Sequence, residues 1–184
     1  MYPSVGLRFP FTMTAVSAVL PDGGVATAVT SRYRIEVAPA GGPGFTIERR
    51  VSAVPLEDSE REEWEASLAA GASTARIAIP THKPFIRRLR ADSDGRIWVE
   101  IYVHATWCPR SSDPANARRQ TRTWEEPNAY DVFDDRRRYL GRVDLLPFSR
   151  LLAVMGDRIR VTERTELGGS ALVRYRMVMP RLSP

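Results

Sequence analysis

Residues 92–103 read DSDGRIWVEIYV, and two structures compete for them. Asp92, Asp94 and Gly95 resemble the opening of a calcium loop and equally a tight β-hairpin turn. A calcium loop of the helix-flanked kind wraps its ion with twelve residues and closes on a bidentate acid. Here a strand-like run rich in β-branched and aromatic residues, Ile97 to Val103, begins directly after Gly95, so no chain remains to enclose a cation. The stretch reads as a hairpin turn feeding a strand, with Asp-Gly supplying the positive φ such turns demand.

Working outward, the same unit recurs. Pro-Phe occurs at Pro10-Phe11, Pro84-Phe85 and Pro147-Phe148. Each pair opens a strand, a turn (Asp22-Gly23-Gly24, Asp94-Gly95, Gly156-Asp157) and a second strand. A further strand pair follows in SRYRIEVAPAGGPGFTIERRV (31–51) and in NAYDVFDDRRRYLGRVDL (128–145), whereas the third copy offers only ALVRYRMVM (171–179). Four short antiparallel strands per repeat is the mark of a propeller blade. The expected fold is therefore all-β, a partial β-propeller of about three four-stranded antiparallel blades at about 9–54, 82–146 and 147–180. The last blade is incomplete, and the whole forms a single domain over 1–184.

The intervals between Pro-Phe pairs exceed a bare blade, and two insertions fill them. Residues 56–72 contain LEDSEREEWEASLAAG, which predicts one short helix over about 57–70. Ser59 with Glu62 would cap it, Gly71 would stop it, and Trp64 and Leu68 would share its docking face. Residues 104–127, HATWCPRSSDPANARRQTRTWEEP, read as a loop between the second and third strands of the middle blade. Loops this long are more often functional than incidental.

Composition narrows the classes. The chain has 184 residues, 27 basic and 22 acidic, for a formal net charge of +5. Only Lys83 among the basic residues is lysine, a bias that GC-rich coding would produce and that weakens inference from arginine to function. The arginines are spread along the chain beside acids, which disfavours nucleic acid as a partner. A single cysteine, Cys108, rules out an intramolecular disulfide. No apolar run approaches the ~20 residues of a membrane span. The first residues lack the pattern of a signal peptide. The default compartment is cytoplasmic, or exported if the N-terminus is truncated.

The segments LPDGGVATAVTSRYRIEV, DSDGRIWVEIYV, YDVFDDRRRYLGRV and GDRIRVTERTELGGSALVRYRM together resemble the C-terminal half of a bacterial six-bladed β-propeller protein, similar to NHL-repeat propellers. The resemblance covers nearly the whole chain and carries no catalytic signature. It implies a closing strand upstream of Met1, or a homodimer in which two copies complete a six-bladed ring.

Constellations for chemistry are sparse. His104 and Cys108, with His82 and Asp113, are too scattered for a zinc site, and no metal or cofactor is expected. Ser170 in ELGGSAL sits in a turn rather than a nucleophile elbow. Asp134-Asp135 and Glu125-Glu126 are neighbours that point to opposite faces of a strand, so no catalytic residue is assigned. The loop gathers the best ligand-binding candidates, Arg118, Arg119 and Arg122 with Trp107 and Trp124, a combination suited to anionic or aromatic ligands and to protein hot spots. The alternative role for the two tryptophans is to pin the loop to its own blade. Trp98, Phe85, Phe133 and Tyr130 read as core between blades. The expected function is a non-enzymatic binding or interaction module with a protein or small-molecule ligand. The alternatives are a propeller hydrolase of the lactonase sort with an axial metal site, and a truncated fragment with no independent function.

Overall fold

Alternation of apolar and polar residues dictates most of the strands. A computed structural model describes residues 11–70, 79–109, 123–165 and 169–178. They form antiparallel β-sheets and one helix. The first sheet is a meander of β1 (Ala15–Val19), β2 (Val25–Val29), β3 (Arg34–Ala38) and β4 (Phe45–Glu48). Helix α1 (Asp58–Ala70) follows. The middle sheet takes β5 (Ile86–Ala91), β6 (Ile97–Ile101), β9 (Ala129–Phe133) and β10 (Tyr139–Asp144), in that spatial order. Between β6 and β9 the chain leaves to form a two-stranded ladder, β7 (Thr106–Trp107) with β8 (Trp124–Glu125). The last sheet holds β11 (Arg150–Met155), β12 (Arg158–Arg164) and β13 (Ser170–Arg176). Among the described residues no helix is long and apolar enough to cross a membrane.

The opening stretch is a hairpin turn. Asp92 N–H donates to Arg96 O and Gly95 N–H to Asp92 O, while Gly95 holds φ at 78°. The same two bonds recur at Leu20/Gly23/Gly24 and at Asp134/Arg137/Arg138. In the last of these an arginine occupies the left-handed position, with φ 72°. The Pro-Phe pairs also do backbone work. Ser149 N–H donates to Leu146 O at 3.0 Å, closing a turn in which Pro147 precedes Phe148 at φ 62°. That is the position a type II turn normally gives to glycine. Phe11 adopts φ 57°, whereas Phe85 stays outside this region.

The middle sheet is covered on both faces. Ile86, Leu89, Ile97, Val99 and Phe133 pack against Ala26, Ala28, Ile35, Val37 and Ile47 of the first sheet. On the other face Trp98, Tyr130 and Val132 pack against Leu151, Ile159 and Val161 of the last sheet. Strand β9 is accordingly buried throughout, as a strand between two layers must be. Burying one such aliphatic or aromatic side chain is worth about 1.5–3 kcal/mol, so these two interfaces carry most of the stability.

Two details differ from the sequence expectation. The helix begins at Asp58, and Arg61 N–H already donates to Glu57 O, so Ser59 lies inside the first turn and is not the cap. Asp58 and Glu60 still place negative charge at the helix's positive end, and Trp64 docks edge-on against Phe11 at 5.8 Å. The expected stop at Gly71 lies outside the described residues. The insertion at 104–127 is not wholly loop: Trp107 stands directly opposite Trp124 in the β7–β8 ladder.

Candidate functional site

Strand β9 reads Ala-Tyr-Asp-Val-Phe, and a carboxylate in the middle of a fully buried strand must be compensated. The pleat turns Asp131 toward the first sheet, on the same face as its cross-strand partner Val99. Tyr33, just ahead of β3, donates its phenolic hydrogen to Asp131 Oδ2 at 2.6 Å. Arg49, just after β4, places Nη1 on the same oxygen at 2.5 Å. Tyr139, the first residue of β10, donates to Oδ1 at 3.0 Å. The Arg49 guanidinium lies 3.9 Å over the Tyr139 ring. Two sheets are thus tied together through one carboxylate.

The electrostatics of this centre follow from its burial. Burial, reinforced by the bond to Asp131, pushes the Tyr33 phenol far above its ordinary range. Burial and the Asp131 charge also push the Tyr139 phenol up. Both phenols keep their protons and hold Asp131 as an acceptor. Arg49 retains 30% exposure at the wall of a cleft of about 170 Å³. Val51, Phe85, Ile101 and Tyr102 give this cleft apolar and aromatic surface, and Ser52 and Arg142 give it polar surface. Arg142 is already held by Asp144 at 2.7 Å.

A second buried cluster surrounds the chain's only lysine. Lys83 Nζ, wholly buried, sits 2.9 Å from Glu60 of α1 and 2.5 Å from Glu126, and donates to Val103 O at 3.2 Å. Arg87 also contacts Glu126. Burial lowers the Lys83 pKa, while its bond to Glu60 opposes the shift. The cluster clamps the helix and the β8 end of the insertion onto the middle sheet, and Thr123 N–H adds a bond to Glu63 of the helix at 2.7 Å. With Lys83 wholly buried and paired to acids from the helix and the insertion, the cluster is read as a tether.

The structure separates the residues singled out from sequence. Trp107 and Trp124 come together as a cross-strand pair, with Trp107 58% exposed. Trp124 is half-buried, and Glu63, Glu126 and Lys83 also hold the insertion. Arg118, Arg119 and Arg122 lie outside the described residues. Of the scattered zinc candidates, His82 Nδ1 is 3.0 Å from Thr81 Oγ1 and His104 Nδ1 is 3.8 Å from Glu57, while Asp113 lies outside the described residues. Among the described residues no three His, Cys, Asp or Glu side chains converge. In the opening turn, Asp92 is saturated by nitrogen donors. Oδ1 accepts from Asp94 N–H and Arg96 N–H, both at 3.0 Å, and Oδ2 from Arg96 Nε at 2.6 Å and Trp98 Nε1 at 2.9 Å. That leaves no lone pair free for a cation.

Asp131 and Arg49 were missed in the sequence. The usable signal was a lone acid inside an otherwise apolar strand, with an arginine and tyrosines elsewhere to answer it. Fold and cleft define a class no narrower than an antiparallel, multi-sheet β protein with a polar centre between two sheets. No protein-family model matches the chain, and no curated protein matches it either.

Proposed function

We propose that the chain is a non-enzymatic binding module of β-propeller type. The three larger sheets would be successive blades, the last with three strands. Supporting this reading, the sheets stack in sequence order, the middle one is covered on both faces, and the first strands of neighbouring sheets, β1 and β5, lie against each other. The ligand is a small molecule with a single anionic group, held by Arg49 in the cleft between the first and middle sheets, its apolar body against Phe85, Ile101 and Tyr102.

The observation that carries this is the state of Arg49. Its guanidinium is fixed by Asp131 and Tyr139 before any ligand arrives, so little side-chain entropy is lost on binding. Yet it remains open at the cleft wall. At about 170 Å³ the cleft is smaller than the ~300–1,000 Å³ typical of drug-sized sites, which limits the occupant to a compact acid. Titration calorimetry with short aliphatic and aromatic carboxylates tests it. Saturable binding that Arg49→Met abolishes supports the reading. Absence of binding at millimolar ligand, or binding indifferent to Arg49→Met, sinks it.

A further inference from the structure

The register of the last sheet collects charge that is dispersed in the sequence. Strand pairing puts Arg158 directly opposite Arg176 and Arg160 directly opposite Arg174. Arg164 and Arg150, the latter opposite Thr162, lie on the same face. All six arginines are exposed, and together they outnumber the formal net charge of the entire chain, +5. The opposite face of these strands carries Ile159, Val161 and Val173, and buries the first two against the middle sheet. Among the described residues only Arg176 of the six lies within ion-pair distance of an acid, Asp157 at 2.8 Å.

Like charges directly opposite on one face of a sheet are destabilising, so this arrangement costs stability in the free protein. Arginine-biased coding explains the residue type but not the placement. The outer face of the first sheet, at the other end of the stack, presents Ala15, Ser17, Val19, Val25, Thr27 and Val29 instead. Nor does the arginine face suit a second copy closing a ring. Stacking there would bury guanidinium groups, and the first sheet's exposed face offers only Glu36 and Glu48 against its own Arg34. Burying uncompensated charge is prohibitive.

We infer that the outer face of the last sheet binds the phosphate backbone of a nucleic-acid duplex. Along β12 the outward positions are Arg158, Arg160, Thr162 and Arg164, spaced by ~6.7 Å over ~20 Å of strand; three are arginines, and the Thr162 hydroxyl is held by Arg150 O. Arg174 and Arg176 of β13 run alongside. Leu172, opposite Thr162, and Met155, opposite Arg158, are also exposed on this face, but the arginines run in line along β12 and β13, a strip of positive charge matched to a linear polyanion. A membrane-surface site is instead a broad apolar face inserted beneath basic flanks, and here arginines occupy the central strand. Contacts of this kind go to phosphates and carry no sequence information, so binding is independent of base sequence. The inference is separate from the Arg49 cleft, and either stands if the other fails.

The test is fluorescence anisotropy of a labelled 20-base-pair DNA duplex with the full chain, beside co-sedimentation with vesicles containing phosphatidylserine. Four to five phosphate contacts predict that log K falls against log salt with a slope of about −4. The Arg160→Gln/Arg174→Gln variant should bind at least tenfold more weakly and flatten that slope by about 2. Without DNA its Tm should equal or exceed that of the parent, because a repulsive pair is gone. An Arg32→Gln/Arg34→Gln control, which removes two exposed arginines from the first sheet, should bind as the parent does. No duplex binding at 50 mM salt, equal losses in both variants, or capture by vesicles but not duplex would each overturn the inference. So would a lowered Tm in the Arg160→Gln/Arg174→Gln variant with DNA affinity unchanged.

Discussion

Asp92 and Asp131 are both buried carboxylates with every oxygen engaged, yet they are built in opposite ways. Asp92 takes all four of its donors from residues 94–98, so one hairpin satisfies it. Asp131 takes donors from Tyr33, Arg49 and Tyr139, and the first two come from another sheet. Asp92 is a device for making a turn. Asp131 is compensated only when two sheets have docked, so it reports on, and specifies, their packing. The difference also shows at the surface: the self-contained carboxylate leaves nothing exposed, whereas the one shared between sheets leaves a guanidinium at a cleft.

The sharpest way to break this comparison is to delete each carboxylate in turn. Asp131→Ala orphans the buried Tyr33 hydroxyl and part of Arg49, and a loss of about 3–5 kcal/mol is expected. Asp92→Ala should cost less, about 2–3 kcal/mol, because the backbone groups of its turn can reach water. Denaturant midpoints measure both. Kinetics sharpen the contrast. A bond within one hairpin closes a short loop and can form before the transition state, so Asp92→Ala should mainly slow folding. A bond between sheets forms late, so Asp131→Ala should mainly speed unfolding. Equal partition in the two chevrons would erase the distinction.

Alkaline pH probes the same pair without deleting either. The Tyr33 and Tyr139 phenols are both pushed up in the folded state by burial and by Asp131, and burial pushes Tyr130 up to about 12. A raised folded pKa means the unfolded chain gives up its protons first. Stability is therefore intact below the ordinary phenol pKa of about 10 and declines as pH rises above it. Urea midpoints at pH 9, 10 and 11 should fall, and Tyr33→Phe should flatten that fall while lowering the starting stability by about 1–2 kcal/mol.

What was legible in the sequence follows the same local and non-local divide. The Asp-Gly turn, the helix near 58–70 and the alternating strands depend on residues within a few positions of one another, and these emerged from the sequence. The strand pairing of the last sheet was visible too, but not the alignment that sets Arg160 against Arg174, because one position of register moves every side chain to the other face. The partnership of Asp131 with Tyr33 and Arg49 spans 98 and 82 residues, and nothing in the local pattern names its partners. Lys83 was visible as the lone lysine. Its tether to Glu60 and Glu126 was not, since it joins the helix to an insertion that reads as loop.

Asp134 supplies the smallest and most discriminating test, because it repeats Asp92 at the surface. Its carboxylate accepts from Arg136 N–H, Arg138 N–H and Arg138 Nε, the same local donors that Asp92 uses. But Arg138 is 55% exposed where Arg96 is 12%, and no counterpart of Trp98 covers the pair. Partial burial would push the Asp134 carboxyl up, but its bonds to Arg138 and Arg136 together hold it below the ordinary range. A depressed folded pKa contributes stability above the unfolded value and loses it as pH falls through the folded one. Asp134→Asn should therefore cost about 0.5–1 kcal/mol at pH 7, and the gap from the parent should close below pH ~4. If that substitution costs as much as Asp92→Ala, then burial is not what separates the two turns, and the indole bond from Trp98 contributes little to the first.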